Sequence, residues 1–196
     1  MSGVFPITAG FETLDFQSNT NSRVSVSVSG KTQRIKTGAQ FWSFKLKSPA
    51  MTRAQVMADF AFIVQQDGQV ESFTIVPPQI ASTRGTASGT ITINATYAAG
   101  QSLVKGNGGS GTLKKGDLIK FSNHDKVYMI TEDVNMDSSS EDFFNIYPPL
   151  TTAVTGSTTV TYNSVPIKVY FDKDEQKYIT QADGTFKYEI VMNEEI

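Results

Sequence analysis

The chain has no cysteine. That absence removes disulfides, thiolate metal sites, iron–sulfur clusters and a cysteine nucleophile together. Histidine is nearly absent too: His124 stands alone, so a multi-histidine metal site cannot be built within one chain. No apolar run approaches the roughly 18 residues that a membrane span needs. Residues 1–20 carry Glu12 and Asp15 without a Lys or Arg, which is not the pattern of a signal peptide. Net charge is −2, from 17 Lys and Arg against 19 Asp and Glu. No block of like charge stands out, so nucleic-acid binding through counterion release has little support.

What remains is rich in Ser and Thr alternating with Val and Ile, and it holds 13 Phe. The 39% hydrophobic fraction is enough for a core, and the alternation favours strands. A length of 196 residues allows one large domain or two small ones.

The segment Arg23 to Ser29 alternates strictly, with Val24, Val26 and Val28 on one face, and predicts a half-buried strand. Gly30-Lys31 turns it into a second strand. There Trp42, Phe44 and Leu46 share the core face over 40–47, and Trp42 is the sole tryptophan. Residues 1–22 show few periodic signals, and Asn19, Asn21 and Ser22 read as loop. Thr52 and Gln55 have capping-box spacing, and Val56, Phe60 and Ile63 recur at helical spacing with Met57 and Val64 beside them. The reading is one helix over 52–66, closed by Gly68, with its apolar stripe on a sheet. Val70–Val76 is a strand stopped by Pro77-Pro78.

From about residue 80 to 162 the texture changes to short strands between glycine turns. Strands are expected near 89–97, 101–105, 117–122, 126–131 and 142–147, which suits a small OB-like closed barrel. Residues 106–111 (GNGGSG) read as a flexible loop and 135–142 (NMDSSSED) as an acidic polar loop. The tail returns to longer strands at 166–171, 178–180 and 185–192, with Asp183-Gly184 as a hairpin turn. The organisation is one β domain from 1–79 plus 163–196, with a second β domain, 80–162, inserted.

Four constellations carry possible chemistry. Ser122, His124 and Asp125 lie in one turn, where adjacent residues rarely aim at a common reacting atom, so a polar hairpin loop is the preferred reading. Asp133, Asp137, Glu141 and Asp142 lack EF-hand spacing and read as a solvated loop. The glycines at 106, 108, 109 and 111 are not followed by the Gly-Lys-Ser/Thr and helix of a phosphate loop. Lys114, Lys115, Lys120 and Lys126 mix with Phe121 and Tyr128. Lys120, Phe121, Lys126 and Tyr128 form the candidate ligand face, for oligonucleotide or sugar, against the alternative that the two rings fill the barrel. The residues suggest no catalytic group, cofactor or metal.

The stretches GFETLDF (10–16), KTQRIKTGAQFWSFKL (31–46), Asp59-Phe60 on the helix, VPPQ (76–79), LKKGDLIKFSNHDKVYMIT (113–131) and IYPPL (146–150) follow one another in fixed order. In that order and spacing the chain resembles the distal tail protein (Dit) of long-tailed siphophages, in the short form with a single inserted OB-fold domain. The resemblance implies a mainly β fold, with a β-sandwich and one helix from the two terminal segments. It implies a non-enzymatic virion protein of the tail tip, assembled in the host cytoplasm. It implies a homo-hexameric ring that joins the tail tube protein to the baseplate hub protein, with DNA passing transiently and no membrane contact. Side-fibre or receptor-binding proteins are further partners implied for the outward-facing inserted domain. The alternative from the residues is a carbohydrate- or nucleic-acid-binding module in the barrel.

Overall fold

Two long paired strands begin the fold. The computed structural model describes residues 3–137 and 141–196 and is mainly β with one helix, as the composition required. Part of the acidic loop expected at 135–142, residues 138–140, lies outside the described residues. The chain divides into two compact units: residues up to Phe73 together with Val169–Glu195, and Thr74–Lys168 with the terminal Ile196.

In the first unit β1 (Thr13–Val26) and β2 (Thr32–Lys47) form a long antiparallel hairpin, paired from Thr13 opposite Lys47 to Val26 opposite Thr32 with a register shift between Thr20 and Ser22. β1 starts well before the expected strand. Leu14 and Phe16 are half-buried on one face, and the polar stretch that follows, with Asn19 and Ser22, is held by pairing with β2. Trp42, Phe44 and Leu46 are buried, as the alternation predicts, and Phe16 stacks on Trp42 with centroids 4.7 Å apart. The sheet continues from β2 to β14 (Phe186–Glu194), then to β12 (Ile167–Phe171) and β3 (Phe73–Ile75). β13 (Tyr178–Thr180) pairs with the first residues of β14 across the Asp183-Gly184 turn, where the Gly184 amide donates to the Gln181 carbonyl at 3.0 Å.

Helix α1 (Arg53–Gln65) begins at Thr52, whose amide donates to Gln55 Oε1 at 3.0 Å, and ends before Asp67 and Gly68, both at positive φ. Val56 and Ile63 are buried as expected, but the third buried helical residue is Asp59, not Phe60. The reason is chemical: the Tyr188 hydroxyl donates to Asp59 Oδ2 at 2.9 Å and the Thr8 hydroxyl donates to Oδ1, so the carboxylate is doubly satisfied inside.

In the second unit six short strands close into a barrel. In order round it they are β10 (Asp142–Tyr147), β5 (Leu103–Asn107), β4 (Ile91–Ile93), β11 (Thr159–Thr161), β7 (Leu118–Phe121) and β8 (Val127–Ile130). The sequence suggested five; β11 lies in a Ser/Thr-rich stretch too short to show a period. A two-stranded ladder of β6 (Gly111–Leu113) and β9 (Val134–Met136) accompanies the barrel. The 106–111 segment is not a loose loop. Ser88 and Ser110 exchange amide–carbonyl bonds of 2.9 and 3.0 Å, and a Cβ on Gly111, at φ +84°, would overlap the Thr86 carbonyl. The glycines let two backbones touch.

Buried Asp117, in the Lys115-Gly116-Asp117 turn, ties this unit locally. It accepts the Lys114 amide at 2.8 Å, the Arg84 amide at 3.1 Å and the Thr83 hydroxyl. One carboxylate thus fixes residues 83–84 to the start of β7.

Candidate functional site

The far end of the first hairpin is the most unusual surface of the first unit. A register irregularity between Thr20 and Ser22 separates it from the sheet, and every residue from Thr20 to Thr37 is exposed. Sequence alternation predicts Val24, Val26 and Val28 on a buried face. Instead Val24 is 57% exposed, Val26 63% and, across the hairpin, Ile35 64%. Opposed residues share a face, so Val24 lies with Arg34 on one face and Ile35 with Arg23 on the other. Among the described residues, however, no layer covers either face. The tip is ordered by local bonds: the Ser27 amide donates to the Lys31 carbonyl and the Gly30 amide to the Ser27 carbonyl, both at 2.9 Å.

The arm is also charged in one sense. Arg23, Lys31, Arg34 and Lys36 lie on it, and no Asp or Glu occurs between Phe16 and Ala58. Because the basic residues are spaced rather than clustered, the absence of acids is the signal that charge-block inspection passes over. An isolated two-stranded ribbon with apolar side chains in water is marginal by itself, so the arm has the character of a docking element.

In the second unit the structure separates the residues that sequence placed together. Phe121 and Tyr128 are fully buried and pack in the barrel, with centroids 5.4 Å apart. Lys126 is buried as well. Lys120 extends to Asp125 at 2.8 Å, and Lys168 reaches the same carboxylate at 3.5 Å. The Lys120 ammonium, with Lys168 adding to it, holds the Asp125 carboxyl below its usual range. Of the four residues of the candidate ligand face, the two rings therefore fill the interior.

His124 is half-buried, and both its ring nitrogens are engaged. Nε2 lies 2.7 Å from the Tyr128 hydroxyl and Nδ1 lies 2.8 Å from Asn123 Oδ1. The Tyr128 oxygen in turn accepts the Thr151 amide at 3.1 Å. Ser122 Oγ accepts the Thr159 amide at 3.2 Å, so Ser122, His124 and Asp125 each turn to a different partner and form no relay. Burial, then the nearby Lys120 ammonium, push the imidazole below its ordinary value, while Asp125 acts against them. A neutral ring that links the β7–β8 turn to residue 151 is what this geometry provides.

The acidic residues are also dispersed. Asp133 binds the Lys115 amide and the Lys114 ammonium, both at 2.9 Å, while Glu141 binds Asn94 and Lys105. Among the described residues no group of three or more His, Asp or Glu is placed to hold a metal ion.

Two comparisons with known proteins bear on this arrangement. Residues 80–165 match the family model described as the distal tail protein pb9, B domain. Over 161 residues the chain is 29% identical to the distal tail protein pb9 of Escherichia phage T5, in an alignment spanning 80% of this chain and 76% of that protein.

Proposed function

We infer that this chain, which both comparisons liken to a phage distal tail protein, is a structural component of a siphophage tail and works by closing with identical copies into a homo-hexameric ring. In this reading the ring joins the tail tube protein to the baseplate hub protein at the tail tip and encloses part of the path that DNA takes on ejection. The terminal segments, 1–79 and 163–196, form the ring-building domain, and residues 80–162 form an inserted module.

One observation carries the reading: the exposed arm. Its apolar side chains have no cover among the described residues, and it holds four of the 17 Lys and Arg and none of the 19 Asp and Glu. The remainder keeps 13 basic against 19 acidic residues. A second copy of the same chain therefore offers a surface of opposite net charge. A heterologous contact of arm on neighbour, repeated by rotation, closes a ring.

Mass measurement of the purified protein, alone and mixed with its tube and hub partners, tests this. A sixfold ring is expected, and replacing Val24, Val26 and Ile35 together by Ser should abolish it while circular dichroism stays unchanged. A protein that stays monomeric with both partners present, or a variant that still closes the ring, would overturn the reading. So would a closed ring too narrow for a duplex.

A further inference from the structure

Helix α1 carries apolar side chains on the side that faces solvent. Ala54, Ala58 and Ala61 are exposed, and Val64 is 59% exposed. Between Arg53 and Asp67 the one ionisable residue is Asp59, which is buried. A helix that packs by one stripe ordinarily carries charge on the opposite side, and a helix that is apolar all round is a buried one. Just past the helix, Val70 is 75% exposed. Acidic groups gather at the same end. The Gln69 amide donates to Asp174 Oδ1 at 3.1 Å and the Gln69 side chain donates to the Asp172 carbonyl, which ties the 172–177 loop to the end of α1. Residues 66–71 and 172–177 hold Asp67, Glu71, Asp172, Asp174 and Glu175 against Lys173 and Lys177. The carbonyl end of the helix adds to that negative potential.

We propose that the outer side of α1 is the seat for the arm of a neighbouring copy. The proposal rests on the ring reading above and names the surface that the arm grips. In the single chain the arm and this side of the helix both stand in solvent, so the occupant is a second copy. Pairing puts Val24 and Val26 on one face of the arm together with Arg34 and Lys36, since Val24 stands opposite Arg34 and Ser22 opposite Lys36. On that face the valines lie toward the tip and the cations toward the base. From Val26 back to the level of Lys36 the ribbon runs about 14 Å. From Ala58 to the end of α1 and Asp67 beyond it is about the same. With the valines over Ala58 and Ala61, Arg34 and Lys36 therefore reach the acidic end. The small helical side chains let the ribbon come close, and the valines fill the space that they leave. Charge sets the direction: an arm laid the other way would bring its cations to the positive end of the helix, beside Arg53.

The lack of cysteine makes the test direct. Val26→Cys is combined with Ala58→Cys or with Ala61→Cys, and, as the control, with Gln17→Cys, which is exposed on β1. Each full chain is assembled with the tube and hub proteins, oxidised, and separated without reductant. Either helix pairing should give a covalent ladder rising to six chains, and the Gln17 pairing should not. Ala61→Cys alone should react with a maleimide about tenfold or more slowly in the ring than in the separated chain. All four positions are exposed in the single chain, so circular dichroism should match the parent's. A ring of the expected mass without either helix bond, or with as much bond at Gln17, would overturn the seat and leave ring closure standing. Protection of the Ala61 thiol without a bond to the arm would put the tube or hub protein there, and would overturn it too. A parent that closes no ring would remove both readings.

Discussion

Asp59 shows how a single residue escapes a periodicity argument. Helical spacing puts Phe60 in the stripe beside Val56 and Ile63, and a carboxylate next to it reads as a surface group. The structure buries Asp59 because hydroxyls from Tyr188 and Thr8 converge on it from residues 129 and 51 positions away in the chain. Nothing local announces such partners. Burial, with Asp59 adding to it, raises the Tyr188 hydroxyl well above its usual value, so it remains a donor. Asp59→Ala should therefore lower the stability of the first unit by about 1–3 kcal/mol, since it leaves the buried Tyr188 hydroxyl without its acceptor. Trp42, the sole tryptophan, is buried in that unit and reports its unfolding by fluorescence. An unchanged urea midpoint would contradict the role given to Asp59.

His124 makes a second prediction at this scale. Its folded value lies below the ordinary imidazole value, chiefly through burial. As pH falls, the unfolded chain binds this proton first, near pH 6.5, so the folded state loses stability from there down to the folded value and keeps the full contribution above it. Because the chain has one histidine, proton NMR of its ring gives the folded midpoint without assignment work. A midpoint at or above 6.5 would refute the buried neutral ring.

At the scale of elements, strands that bury one face were legible and strands stabilised by partners were not. Trp42, Phe44 and Leu46 announced the core half of β2; Tyr178–Thr180 was also read at its observed limits, although all three of its residues are exposed. The start of β1 and the three-residue β6, β9 and β11 were missed, because polar or very short segments acquire strand geometry only through pairing. The glycine-rich 106–111 segment was read as flexible from composition. Its real constraint is the approach of residues 86–90, which composition does not encode. Two glycines of the barrel unit separate these ideas. Gly100 and Gly111 both have positive φ, but a Cβ on Gly100 meets nothing within 4 Å. Gly100→Ala should cost about 1–2 kcal/mol for the backbone alone. Gly111→Ala should cost clearly more, because the Thr86 carbonyl must also move. Thermal unfolding of the two variants side by side measures the difference, and equal losses would mean that the contact is soft.

For the whole molecule, the alternation of Val24, Val26 and Val28 was legible and its meaning was not. A sequence specifies which face of a strand is apolar, but not whether the covering layer comes from the same chain. In the proposed ring that layer is a neighbour, and two forces act on the arm at once. The apolar contact is insensitive to moderate salt, whereas attraction between a basic arm and an acidic remainder is screened as the Debye length falls from about 10 Å at 0.1 M to about 3 Å at 1 M. The two can be separated by mass measurement at both salt concentrations. Replacing Arg23, Arg34 and Lys36 by Gln should weaken ring assembly at 0.1 M and make little difference at 1 M, where the parent has already lost that attraction. Replacing Val24, Val26 and Ile35 by Ser should weaken it at both. If the Gln variant assembled as well as the parent at low salt, the arm would grip its neighbour through its apolar side chains alone, and the one-sided charge between residues 16 and 58 would require a different partner.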